Sequence, residues 1–217
     1  GEGYKGHSFW DTEIFLFPFY LFTDPKAAGT LLSYRGKSLQ GAQKKAYENG
    51  YQGAMFPWES AWLDDGEVTP VWGGADVVTG EPIPINTGKL EQHISADVSY
   101  AVWQYYMTTQ DEDFMKKFGY EIILATAVFW SDRVQWEGDS CHIRDVIGPD
   151  EYKEHVDDNA YTNYLVKYNL DLALTVIELL QKEDSDLYQK LDAKWKITDN
   201  LGSIRMAAEK IYLPKAD

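Results

Sequence analysis

Residues 159–182, NAYTNYLVKYNLDLALTVIELLQK, place Leu165, Leu172, Val176 and Leu180 on one stripe of a helix, and spacing of this kind, repeated along the chain, most limits the fold. The segment ISADVSYAVWQYYMTT sets Val98, Ala101, Val102 and Tyr105 on a similar stripe, and DEDFMKKFGYEIILATAVFWSDRVQW carries another behind the candidate N-cap Asp111. SFWDTEIFLFPFYLF predicts an apolar helix kinked at Pro18, and Asp24-Pro25 then opens a helix that runs to a stop at Gly50. Shorter helices are expected near 184–194 and 199–212. The alternation of a half-buried strand is nearly absent, so about seven helices and an all-α domain, or a piece of one, follow.

The helices are interrupted unevenly. Residues 51–88 lose the periodicity and fill with Gly, Pro, Trp and acids, and an acidic stretch at 137–157 interrupts the helices again. Aromatic content argues that the first stretch is folded and site-bearing. Long loops at alternate connections suit a toroid of helical hairpins better than an up-down bundle, because a toroid gathers its long connections on one face. No repeat of fixed period appears, which counts against a regular solenoid.

Charge narrows the partners. A net charge of -15 over 217 residues excludes nucleic acid and anionic membranes as expected partners, since both need surplus Lys and Arg. No apolar run approaches the roughly 18 residues of a membrane span. One cysteine, Cys141, leaves no internal disulfide and suits a reducing, cytoplasmic setting.

The densest polar stretch, HIRDVIGPDEYKEHVDDNAYTNY at 142–164, admits three readings: a solvated acidic loop, a metal site, or the seat of a catalytic carboxyl group. Metal-ligand spacing is missing, because Glu151 and His155 alone stand four apart, so no metal is expected. Asp157, Asp158 and Asn159 read as caps for the following helix, and His142 and His155 as ordinary hydrogen-bonding residues. Glu151, after Gly148-Pro149-Asp150, sits at a loop apex where desolvation and nearby Asp charge raise a carboxyl pKa towards that of a general acid. Two Trp-acid pairs, Trp10-Asp11 and Trp58-Glu59, add a ring that stacks on a sugar beside a carboxylate that accepts from its hydroxyls. Each pair alone is equally a core Trp beside a capping acid. A carbohydrate enzyme and a helical carbohydrate-binding module without chemistry both remain open at this point.

GEGYKGHSFWDTEIF, GAMFPWES, EQHISADVSYAVWQYY and DVIGPDEYKEHVDDNAYTNY together closely resemble the catalytic domain of glycoside hydrolase family 65, over the whole chain. That family comprises inverting disaccharide phosphorylases and a few hydrolases. The resemblance implies an (α/α)6 barrel, of which residues 1–217 supply only part, without the family's N-terminal β-sandwich and C-terminal β-domain. It implies that Glu151 is the general acid, that Trp10 and Asp11 belong to the donor-glucose pocket, and that Trp58, Glu59 and, more weakly, His93 belong to the sugar-binding cleft. The loop at 60–88 would help choose the acceptor, and its wording is most similar to the kojibiose-type branch. The implied substrates are a disaccharide and inorganic phosphate, with no cofactor. The family's phosphate-binding residues, and the second Glu of its hydrolases, are expected beyond Asp217; Lys153 stands where many members carry His. A partial toroid uncovers apolar helix faces, so a homodimer or association with the rest of the protein is expected.

Overall fold

The computed structural model describes residues 2–215. After a 3-10 turn at Glu2–Tyr4, a π-helical turn at Thr12–Leu16 leads into α1 (Phe17–Thr23). Where a kink was expected at Pro18, the structure shows a change of helix type, from the π turn to α1, one residue before it. Pro18 has no N–H to donate one turn back, and it falls in the first turn of α1, where none is needed. Asp24 caps α2 (Pro25–Lys37) by accepting from the Ala27 N–H at 3.2 Å. The single helix expected from there to Gly50 is two helices, α2 and α3 (Leu39–Glu48). Between them the Ser38 hydroxyl donates to the Arg35 carbonyl, a local alternative to the helical ladder. Gly50, at φ +83°, follows the end of α3.

The long loop carries a small exposed antiparallel hairpin, β1 (Trp72–Ala75) and β2 (Pro82–Pro84), which the sequence pattern does not announce. α4 (Thr87–Leu90) and α5 (Ile94–Thr109) follow. Asp111 caps α6 (Glu112–Phe114) through the Phe114 N–H at 2.9 Å, and a π turn at Met115–Gly119 continues into α7 (Tyr120–Arg133). A second unannounced hairpin pairs β3 (Gln135–Glu137) with β4 (Ser140–His142). α8 (Ala160–Glu183), α9 (Ser185–Trp195) and α10 (Ile197–Lys210) complete a mostly helical fold.

The core is built around α7, which is buried along nearly its whole length and packs against α5, α8 and α10. Each of Ile122, Ile123 and Phe129 is fully buried there, contributing about 1.5–3 kcal/mol apiece. α8 turns Leu172, Val176 and Leu180 inward, with Leu165 half-buried at its edge. Within the core, Arg35 grips Glu13 through two hydrogen bonds of 2.7 and 2.8 Å between α2 and the π turn.

Three sets of contacts gather the loops at one end of the helices. Backbone bonds of 2.9 and 3.0 Å join Ser8 to Ser60, bringing the N-terminal segment to the first loop. The Ile147 N–H donates to the Leu90 carbonyl at 3.0 Å, and the Asn86 amide donates to Glu154 at 2.7 Å, bringing in the second. Gly53 seats the first loop against the core. At φ +73° it lies so close to α7 that a Cβ would stand 2.3 Å from the Phe129 nitrogen.

Candidate functional site

The loop carrying Glu151 is held at both ends. Backbone bonds pair Val146 with Val156, and the Asp157 carboxylate accepts from the Asp145 N–H at 3.0 Å. Asp145, His155 and Asp158 all take left-handed backbone angles, a conformation that Asp and His tolerate better than most residues. Gly148 packs so tightly on the Asn159 side chain that a Cβ would meet its amide nitrogen at 2.3 Å. The turn is thereby fixed to the start of α8. Within it, Asp150 accepts from the Tyr152 N–H at 3.2 Å, which leaves Glu151 at the apex.

The three-residue cap expected for α8 needs correction. Only Asn159 caps the helix, accepting from the Thr162 N–H at 3.1 Å. Asp158 instead gathers His142 at 2.8 Å, Arg144 at 2.6 Å and the Asn163 amide at 3.0 Å, while Asp157 serves the loop. His155 bonds Asp145 at 2.6 Å on the surface.

Glu151 stands between two cavities. The larger, about 550 Å³, is walled by Trp58, Glu59, Val68, Thr69, Pro70, Ile85 and Thr87 among others. The smaller, about 420 Å³, is walled by Phe9, Asp11, Thr12 and Leu16. Tyr4, His7, Trp58 and Glu151 line both, so the two are lobes of one cleft. Partial burial is the first cause that raises the Glu151 carboxyl above its ordinary range, and the Asp11 charge adds to it. The Trp58 indole and the charge of His93 pull the other way. The buried Trp58 N–H lies near enough for this, although no well-formed hydrogen bond joins it to Glu151.

Of the residues singled out in the sequence, Asp11, Trp58, Glu59 and Glu151 are brought into the cleft walls. Trp10 and His93 are buried behind them. The Trp10 and His93 rings meet edge to face at 4.8 Å, and His93 meets Tyr161 likewise at 5.1 Å. His93 donates to or accepts from Asp97 at 2.6 Å and Glu91 at 3.1 Å, and the Tyr161 hydroxyl donates to Asp97 at 2.8 Å. Burial pulls the imidazole pKa down, but the Asp97 and Glu91 carboxylates outweigh it and push it up to about 9. Burial in turn raises the Glu91 carboxyl. A cationic imidazole thus underlies the acidic cleft.

Several neighbours escaped the sequence reading. His7 bonds Glu59 at 2.6 Å, and Glu67, Glu91, Asp97 and Tyr161 hold the walls from behind. The spacing of His93, which precedes α5, and Asp97 in its first turn, four residues apart, was the one local signal available. Among the described residues no group of three His, Cys, Asp or Glu side chains could hold a metal ion, and no helix is long and apolar enough to cross a membrane.

The chain is 51% identical to the kojibiose phosphorylase of Halothermothrix orenii, over 99% of the chain and 28% of that protein. It is 43% identical to the kojibiose hydrolase of Flavobacterium johnsoniae, over 80% of the chain and 24% of that protein. A solved structure from the human microbiome, provisionally named a kojibiose phosphorylase, superposes with a TM-score of 0.78 at 28% identity, covering 98% of this chain and 29% of that one. The chain therefore spans well under a third of the relatives it matches. The profile of the glycosyl hydrolase family 65 central catalytic domain matches residues 1–217, and the chain belongs to that family.

Proposed function

We propose that the protein carrying this chain cleaves an α-glucosyl disaccharide with inorganic phosphate, inverting the anomeric centre, with kojibiose as the favoured substrate and no cofactor. The observation that carries this reading is the place of Glu151 at the junction of two lobes. A disaccharide laid across the cleft puts its glycosidic oxygen at that junction. The donor glucose lies against Asp11 in the smaller lobe, and the acceptor lies against Trp58, Glu59 and the 68–87 wall in the larger. Glu151 protonates the departing oxygen while a nucleophile attacks the anomeric carbon from the opposite face, through an oxocarbenium-like transition state. Its raised pKa supports that role, because a general acid must hold its proton near the working pH. Phosphate is already nucleophilic and needs no carboxylate base. The acidic walls described here offer it no cradle, so its ligands come from elsewhere in the protein.

Trp10 and His93 serve the donor side from behind, fixing the segment that presents Asp11. We read the helices as part of an (α/α)6 barrel, with a β-sandwich before it and a small β-domain after it in the longer protein. The relatives' greater length supports this.

A hydrolytic reading is favoured by one observation, the likeness to a kojibiose hydrolase. The two separate when the full-length protein is incubated with kojibiose, maltose and trehalose, with and without phosphate. Phosphate-dependent formation of β-glucose 1-phosphate, greatest from kojibiose, is expected. Glucose release at the same rate without phosphate would establish hydrolysis, and binding without cleavage would reduce the cleft to a carbohydrate-binding module.

A further inference from the structure

Glu67 has no place in the chemistry above, yet no other carboxylate near the cleft collects as many partners. One of its oxygens accepts from Lys45 Nζ at 2.5 Å and the Trp58 N–H at 2.9 Å. The other accepts from the Glu59 N–H at 3.0 Å, the Thr69 N–H at 3.2 Å and the Thr69 hydroxyl at 2.7 Å. A carboxylate has about four acceptor directions. Five donors use them up, so Glu67 has nothing left to offer a sugar and acts only through the residues it holds.

Those residues are specific in place. Trp58, Glu59 and Thr69 all wall the larger lobe, and only Trp58 also reaches the smaller. The anchor at the other end is firm. Lys45 projects from α3 with its side chain 2% exposed, and the loop lies flush on that helix. A Cβ on Gly41 would stand 2.9 Å from the Gly66 nitrogen, and Gly66 takes φ +79°. From the other side, Gly88 at the start of α4 approaches Thr69 and Glu67 so closely that a Cβ would meet them at 2.9 and 3.1 Å. An ion pair in such a setting is poor value for stability alone, because well-packed apolar residues of the same volume do as well. Its use lies in fixing one arrangement of the backbone.

We propose that Lys45 and Glu67 are positioning residues that set the shape of the larger lobe and so govern which acceptor sugar binds there. The inference rests on the phosphorolytic reading above. The reaction run in reverse separates the lobes, because β-glucose 1-phosphate and the free acceptor sugar enter independently.

The test uses the full-length protein with Glu67→Gln and Lys45→Met. A glutamine presents an NH₂ to one of the two donor groups whichever way it is turned. For Glu67→Gln the KM for glucose as acceptor should rise about tenfold, while the KM for β-glucose 1-phosphate stays within about twofold. Lys45→Met should shift the same constant in the same direction by less, and it decides the matter if Glu67→Gln does not fold. Equal changes in both constants, or none in either, would overturn the inference. If the wild type makes and breaks no disaccharide, it is the functional reading that fails. Calorimetric titration with glucose then decides the role of Glu67, weaker binding by the variant upholding it and unchanged binding overturning it.

Discussion

His93 and Glu151 both hold their protons to higher pH than usual, one as a cation and the other as a neutral acid, and both shifts follow from their neighbours. Burial raises the Glu151 carboxyl, with the Asp11 charge adding to it, so the protonated form that donates to a leaving group persists above the ordinary carboxylate range. Turnover should therefore fall as pH rises through that raised pKa. His93 is held charged to about 9 against an ordinary 6.5, because Asp97 and Glu91 outweigh its burial. A raised pKa means that the folded state binds the proton more tightly than the unfolded one. The stability it contributes is full below about 6.5 and is lost between there and about 9. Urea midpoints measured across that window should fall for the wild type, and the gap to His93→Gln should close as pH rises; a constant gap would mean that His93 is neutral. Asp11, Trp58, Glu59 and Glu151 were legible in the sequence because aromatic and acid are adjacent or stand at a Gly-Pro turn. His7 was not, since its partner Glu59 is 52 residues away, nor was Tyr161, whose partner Asp97 is 64 away.

At the scale of elements, helices announced themselves wherever a cap or an apolar stripe was local. Asp24, Asp111 and Asn159 each accept from a backbone N–H three residues on, as their positions required. The division at Ser38 turns on one hydroxyl bonding back to the Arg35 carbonyl, which a serine inside an otherwise helical pattern does not announce, and the π turns left no local mark either. The two hairpins are too short for alternation to show. The seating of the first loop on α7 makes a sharp prediction. Gly53→Ala combines a positive φ with a Cβ 2.3 Å from the Phe129 nitrogen and 2.4 Å from the Ala125 carbonyl. It should lower stability by about 3 kcal/mol or more, read from urea unfolding. A loss below about 1 kcal/mol would show that the loop shifts freely on its helix.

For the molecule as a whole, the pattern of helices and two long loops led to the expectation that residues 51–88 and 137–157 share a face, and the bonds from Ile147 to Leu90 and from Asn86 to Glu154 do bring parts of the two together at the cleft. What the pattern could not give is the outer surface. Phe15, Phe19 and Phe22, on the π turn and α1, are 64%, 64% and 75% exposed, an apolar face of the kind an incomplete helical ring presents. Despite a net charge of -15, the 217-residue chain alone should self-associate in light scattering, and Phe19→Lys with Phe22→Lys should reduce that. A monodisperse monomer at all concentrations would count against the partial barrel. The central claim, that Glu151 supplies the proton, is tested most directly by Glu151→Gln in the full-length protein. Two donors are compared: kojibiose, whose leaving sugar must be protonated, and α-glucosyl fluoride, whose fluoride needs no proton. Phosphorolysis of kojibiose should fall by at least about a hundredfold while the fluoride is still consumed; kojibiose turnover at the wild-type rate would contradict the account.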